Sequence, residues 1–157
     1  MRVEKAPTSR TKKVIGVRGR TALGFVSVQQ VLIRHATPSD AEAIRTIYNY
    51  EVEHETATFD LVPRSLEDQL AWQEAREGAF CVYVAELAGE VVGFGALSPY
   101  KERAAYRTSV EDSIYIRREL SRQGIGRVLL SHLLKTAADG GFHAVMARIT
   151  TLSEGSI

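Results

Sequence analysis

The stretch from Glu111 to Asp139 constrains this chain more than any other. Ser113-Ile114-Tyr115-Ile116 carries the β-branched and aromatic residues of a strand. A basic glycine turn follows, Arg117-Arg118-Glu119-Leu120-Ser121-Arg122-Gln123-Gly124-Ile125-Gly126-Arg127. From Ile125 onward the apolar positions 125, 128, 129, 130, 133 and 134 fit one face of a helix, and Gly140-Gly141 stops it. A helix N-terminus offers free N–H groups and a partial positive charge, which together make an anion site. Gly124 and Gly126 have no Cβ, so a ligand can approach the backbone there. Arg117, Arg118, Arg122 and Arg127 surround the turn, and arginine suits bidentate phosphate contact. A phosphate-bearing ligand fits this pattern; a plain glycine helix start with solvated arginines fits it equally.

Two familiar phosphate motifs are excluded. The dinucleotide fingerprint needs a third glycine where Leu129 stands. A P-loop needs Lys and Ser/Thr after its last glycine, and Arg127 follows Gly126.

With 157 residues the chain is long enough for one core. No apolar run approaches the roughly 18 residues of a membrane span. The single cysteine, Cys81, rules out an internal disulfide framework and lies in the apolar run Phe80-Cys81-Val82-Tyr83-Val84. A buried inert thiol and a reducing, cytoplasmic setting fit it. His35, His54, His132 and His143 lack metal-ligand spacing, so no metal is expected. The net charge of +1 is unevenly spread. Arg2, Lys5, Arg10, Lys12, Lys13, Arg18 and Arg20 face one acid, Glu4, within residues 1–30. That basic arm suggests nucleic acid, a membrane surface or a transit peptide, but it lacks aromatic interleaving for base stacking. The expectation is a poorly ordered extension at 1–30 and one domain over 31–157, with no membrane and no nucleic-acid partner.

Along the chain, Val26 to Arg34 reads as a strand. Thr37-Pro38-Ser39-Asp40 opens a helix with apolar face Ala41, Ile44, Ile47 and Tyr48. Glu51 to Phe59 reads as a polar loop or irregular helix end. Ser65-Leu66-Glu67-Asp68 opens a second helix, running through Leu70 and Trp72 to Arg76. Phe80–Glu86 and Glu90–Ser98 read as a hairpin about Ala88-Gly89, with Gly93 and Gly95 marking a bulge or close approach. A polar loop after Pro99 leads to a strand from Thr108 to Ile116, the glycine turn and helix, and a last strand from His143 to Thr150. The order β–α–α–β–β–β–α–β predicts a mixed α/β sheet.

The turn Ser121-Arg122-Gln123-Gly124-Ile125-Gly126 resembles the Arg/Gln-x-x-Gly-x-Gly/Ala signature of the GNAT superfamily of N-acetyltransferases, with Ser121 departing at the first position. Val110 to Ile116, and Ser98-Pro99-Tyr100-Lys101-Glu102-Arg103-Ala104-Ala105-Tyr106 before it, resemble the phosphinothricin acetyltransferase branch. The resemblance runs from about Leu32 to Ile157. It implies a mixed, mostly antiparallel α/β (α+β) sheet flanked by helices. Its cosubstrate would be acetyl-CoA, held by Ile114, Tyr115, Ile116, Arg122, Gln123, Gly124, Ile125, Gly126, Arg127 and Ser153. It implies Glu111 as general base for direct attack by an amine, with Asp112 the weaker candidate. It places Phe59, Lys101, Arg103 and Tyr106 around the acceptor, phosphinothricin or a similar amino acid, and suggests a homodimer. The family continues beyond the last matched segment through another helix and two strands, so the resemblance also carries the expectation of a C-terminally incomplete domain. A non-catalytic acyl-CoA-binding remnant is the alternative.

Overall fold

The structure, a computed structural model, describes residues 11–20, 26–54, 58 and 60–149. Among them six strands form one sheet in sequence order: β1 (Thr11–Arg20), β2 (Val26–His35), β3 (Tyr83–Leu87), β4 (Glu90–Pro99), β5 (Ser109–Ile116) and β6 (Ala144–Ala147). Every neighbouring pair is antiparallel except β5 with β6, which is parallel. Three helices join them: α1 (Ala41–His54), α2 (Leu66–Glu74) and α3 (Ile125–Asp139). The mixed, mostly antiparallel sheet expected from the sequence is present. β1 lies within the basic arm, and its backbone pairs with β2 through a register shift between Lys13 and Val17.

The helix starts follow their side chains. The Thr37 backbone N–H and hydroxyl both donate to Asp40 Oδ2, at 2.7 and 2.9 Å, and a short 3-10 turn leads into α1. Arg34 fixes the same carboxylate from β2, at 2.7 Å, and holds Glu86 of β3 at 2.8 Å. Ser65 caps α2 by accepting from the Asp68 N–H at 3.1 Å, while its own hydroxyl donates to the Asp68 carboxylate at 2.6 Å. At the far end of α3 the Gly140 N–H donates to Thr136 O at 2.9 Å, and Gly141 takes φ +77°, as a glycine past the last turn does.

Strand alternation divides the core into two layers. Val31, Ile33, Ala85, Leu97 and Val110 pack on one face against Ile125, Val128, Leu129, Leu133 and Ala137 of α3. Val84, Phe94 and Ala96 pack on the other against Ile44, Ile47 and Tyr48 of α1. The buried stripe of α3 therefore turns slightly from the sequence expectation: Ala137 joins it and Leu134 faces solvent.

Several boundaries move. The strand expected over Phe80–Glu86 begins at Tyr83, because Gly78–Phe80 is taken by a 3-10 turn that Gly78 enters at φ +59°. The last strand is Ala144–Ala147 rather than His143–Thr150, within the described residues. In α2, Gln69 is the fully buried residue, while Leu70 is exposed. Gln69 is satisfied there by donating to Gln73 and accepting from Arg64, which is how an amide survives burial. The β3–β4 turn carries left-handed Ala88 and Gly89, the conformation a two-residue hairpin needs. A bulge between Ala85 and Glu86 then realigns the pair. Gly93 and Gly95 mark close approaches, as expected. A Cβ on Gly93 would come within 2.5 Å of Ile116 Cδ1, and one on Gly95 within 3.0 Å of Leu133 Cδ1. Both glycines therefore let β4 press against β5 and α3.

Candidate active site

β5 carries the site. Its antiparallel register with β4 runs its whole length, from Pro99 opposite Val110 to Gly93 opposite Ile116. Its parallel register with β6 covers only its first half, from Ser109 opposite Ala144 to Asp112 opposite Ala147. Beyond Asp112 the β6 side of residues 113–116 has no partner strand among the described residues. A half-paired strand presents N–H and C=O groups to whatever lies alongside. Ile114, Tyr115 and Ile116 lie on this open half.

The glycine turn lies at the end of that half. Gly124 sits at φ +85° before α3, a left-handed conformation that favours glycine. The Val128 N–H donates to Gly124 O at 3.3 Å and closes the first turn. The N–H groups of Ile125, Gly126 and Arg127 precede it and have no partner within the helix. A Cβ at Gly126 would meet only Ile116 Cγ1, at 3.9 Å, an ordinary contact. Packing alone therefore does not demand glycine at 126, and the bare backbone there leaves room for a ligand to approach. Gln123 donates to Glu119 O at 3.5 Å, and its Oε1 is buried without a hydrogen-bond donor among the described residues. Arg122 and Arg127 are exposed at the turn, and Arg122 is itself left-handed at φ +61°. Arg117 is committed elsewhere, to Glu90 at 3.0 Å and Glu119 at 2.7 Å. These features fit a ligand with a pyrophosphate, whose oxygens would meet the free N–H groups, and an amide-bearing arm that can pair with the open edge of β5.

Glu111 stands on the paired half of β5, opposite Ser98 and Met146. Alternation places it on the same sheet face as Tyr115, the α1 face. Its side chain is only 14% exposed, and Arg148 reaches it: Nε and Nη2 lie 2.7 and 2.6 Å from Oε1. Asp112 lies on the α3 face, where burial, reinforced by the Glu111 charge, pushes its carboxyl up. Arg148 was not legible in the sequence as a site residue, because only the parallel register of β6 brings it to Glu111.

The loop between β4 and β5 gathers three expected acceptor residues. Lys101, Arg103 and Tyr106, with Glu102, line an open hollow of about 580 Å³. Lys101 lies over the rings of Tyr100 and Tyr106, which meet edge to face. The loop is rooted beside the candidate base, since Tyr100 N–H donates to Ser109 O at 3.4 Å. Glu111 itself does not line the hollow. Tyr115, expected among the coenzyme contacts, sends its side chain to the α1 core. It stacks on Phe94 and meets Tyr48 edge-on, both at 5.2 Å, and burial pushes its hydroxyl up to about 12. Only its backbone remains for a ligand.

A further cluster on the α1 face was missed from sequence. The Tyr48 hydroxyl donates to Asp60 Oδ2 and lies 3.0 Å from Thr58 Oγ1, while the Arg64 guanidinium sits 3.7 Å over the Tyr48 ring. It pins the segment after α1 to the helix. Phe59 and Ser153 lie outside the described residues. Cys81 is half-buried, and burial pushes its thiol up, away from nucleophilic use. Among the described residues no group of three His, Cys, Asp or Glu side chains could hold a metal ion, and no helix is long and apolar enough to cross a membrane.

A mostly antiparallel sheet with a parallel last pair, a strand left half-open beside it and a glycine-opened helix N-terminus at that open half fit the binding of a phosphate-bearing coenzyme. The acetyltransferase (GNAT) family matches residues 44–157, and the chain belongs to that family. It is similar to the L-methionine sulfoximine/L-methionine sulfone acetyltransferase of Salmonella typhimurium, 34% identical over 126 residues, 80% of this chain and 74% of that protein. It is also similar to the phosphinothricin N-acetyltransferase of Streptomyces viridochromogenes, 33% identical over 127 residues, 81% of this chain and 69% of that protein. The phosphinothricin acetyltransferase of Sinorhizobium meliloti, solved in complex with acetyl-CoA, superposes with a TM-score of 0.75 at 32% identity, covering 80% of this chain and 69% of that one. The protein is an acetyl-transferring enzyme.

Proposed function

We propose that this enzyme transfers the acetyl group of acetyl-CoA to the α-amino group of phosphinothricin, methionine sulfone or a similar small amino acid, with Glu111 as general base. The observation that supports this reading is that Glu111 lies on β5 and the glycine turn before α3 follows directly from that strand's end. The names of the similar proteins support the acceptor class.

Acetyl-CoA supplies an activated thioester. The N–H groups of Ile125, Gly126 and Arg127 would hold its pyrophosphate, with Gly124 shaping the turn and Arg122 adding charge. The backbone of Ile114 and Ile116 would pair with its pantetheine amides along the open edge, and Gln123 Oε1 would accept from a ligand N–H. An amino-acid acceptor arrives with its amine protonated. The Glu111 carboxylate would take one proton, directly or through one water, and free the nitrogen lone pair for attack on the thioester carbonyl. The nitrogen gives up its second proton as the amide forms and the carbon–sulfur bond breaks, and the departing thiolate takes up a proton, so one proton is released to the base and the coenzyme leaves as its thiol. No covalent enzyme intermediate is needed. Lys101, Arg103 and Tyr106 would hold the polar groups of the acceptor from the loop.

The test is calorimetric titration of acetyl-CoA, followed by thiol release with phosphinothricin and methionine sulfone. Release that drops at least about 100-fold in Glu111→Gln, with coenzyme affinity retained, is the expected result. Undiminished release in that variant removes Glu111 from the role of base. Coenzyme binding without release for any amino acid overturns the acceptor assignment.

A further inference from the structure

The candidate base does not stand alone. Met146 of β6 lies opposite Glu111 in the parallel register, and Arg148 follows two residues later. Its guanidinium approaches one oxygen of Glu111 through two nitrogens, at 2.7 and 2.6 Å. The pair is asymmetric in exposure: the acid is 14% exposed and the arginine 68%. A surface ion pair has both partners in water and contributes little. Here the carboxylate is largely enclosed and the cation opens outward to solvent.

We infer that Arg148 is a specificity-determining residue, which binds the carboxylate of an α-amino-acid acceptor while it steadies Glu111 through Oε1. The inference rests on Glu111 lying beside the acceptor amine. A base must come within about 2.6–3.2 Å of the amine, or within one bridging water. In an α-amino acid, two covalent bonds of about 1.5 Å separate that nitrogen from the carboxylate carbon. A guanidinium already touching the base therefore lies within reach of the acceptor carboxylate. Five N–H donors sit on the guanidinium fork, and a single glutamate oxygen engages two of its nitrogens. The planar fork matches a carboxylate in a way that a point charge does not. Lys101 and Arg103, on the loop, are then left for the far end of the acceptor. An amine without the adjacent carboxylate would forfeit the Arg148 contact and be discriminated against.

The test reads ligand preference without turnover. Methionine sulfone and its α-carboxamide are titrated by calorimetry into the full chain saturated with coenzyme A, in the wild type, Arg148→Gln, Arg148→Lys and Glu111→Gln. The wild type is expected to favour the carboxylate ligand by about tenfold or more, the scale of one charge-assisted contact. Arg148→Gln should abolish that preference by weakening the carboxylate ligand alone, and Arg148→Lys should keep part of it. Coenzyme A affinity, unchanged in both variants, reports that the fold is intact. Equal weakening of both ligands, a preference that survives Arg148→Gln, or no preference in the wild type overturns the inference while leaving Glu111 as base untouched. Binding of neither ligand by the wild type overturns the amino-acid acceptor reading itself, and Arg148 falls with it. A wild-type preference that Glu111→Gln retains shows that Arg148 reads the carboxylate independently of the base.

Discussion

Two glycines at the start of α3 serve different ends. Gly124 is left-handed, so an alanine there meets the roughly 1–2 kcal/mol that an L-residue incurs in that region. Gly126 has no such backbone demand, and its would-be Cβ finds only an ordinary contact at 3.9 Å. Gly124→Ala is expected to lower the melting temperature. Gly126→Ala should leave it unchanged or raise it, since alanine favours the helix, yet weaken acetyl-CoA about tenfold or more. Thermal melts paired with coenzyme titrations check both. If Gly126→Ala binds acetyl-CoA as the wild type does, the glycine is incidental to the ligand. At this scale the glycines were visible from their spacing at a helix start, and Glu111 came forward through the family resemblance. Arg148 carried no such mark, since an arginine near a strand end is common and its partner stands 37 residues away in the chain.

At the scale of the element, α3 was legible as a helix but not in its rotation. Apolar periodicity marks both Leu133 and Leu134, yet the sheet buries the first completely and leaves the second 46% exposed. Leu133→Ala should cost about 2–5 kcal/mol through lost burial and the cavity left behind. Leu134→Ala should fall within about 0.5 kcal/mol of the parent, as exposed positions do. Urea unfolding of the two variants checks this, and comparable losses would mean that both sides of the helix are packed. β5 shows the converse case. Its composition gave a strand, but nothing in it marks Asp112 as the last residue paired with β6. That limit depends on where β6 ends, at Ala147, and it sets which backbone groups of β5 lack a partner strand among the described residues.

For the whole molecule, acid stability reflects how the layers meet. Tyr83 of β3 lies between His35 of β2 and His132 of α3, with ring centroids 4.5 and 4.4 Å apart. Burial, with His35 and Lys135 nearby, holds His132 below its ordinary 6.5. The unfolded chain takes up that proton near pH 6.5 and the folded chain only at lower pH. Between those points the unfolded state binds more protons, so folding is most favoured above pH 6.5 and weakens as pH falls toward the folded value. The Asp40 carboxyl, held below its ordinary 3.8 by Arg34, adds a second loss below about pH 4. Replacing His132 with Phe should flatten the first decline and leave the second. Denaturant midpoints measured from pH 8 to pH 3 would show it, and an unchanged slope between pH 6.5 and 5 would mean that His132 does not couple to folding.

The sequence by itself determined the order of elements from β2 onward, the glycine turn before α3 and the family, because these depend on local period, capping, glycine placement and short motifs; it missed β1, and it offered Glu111 as base only through the family resemblance. Tertiary structure alone decided the strand registers, the rotation of α3, the turning of Tyr115 into the core, and the meeting of Arg148 with Glu111. Each of these depends on contacts between residues far apart in the chain, whose geometry is fixed only when both layers pack on the sheet at once.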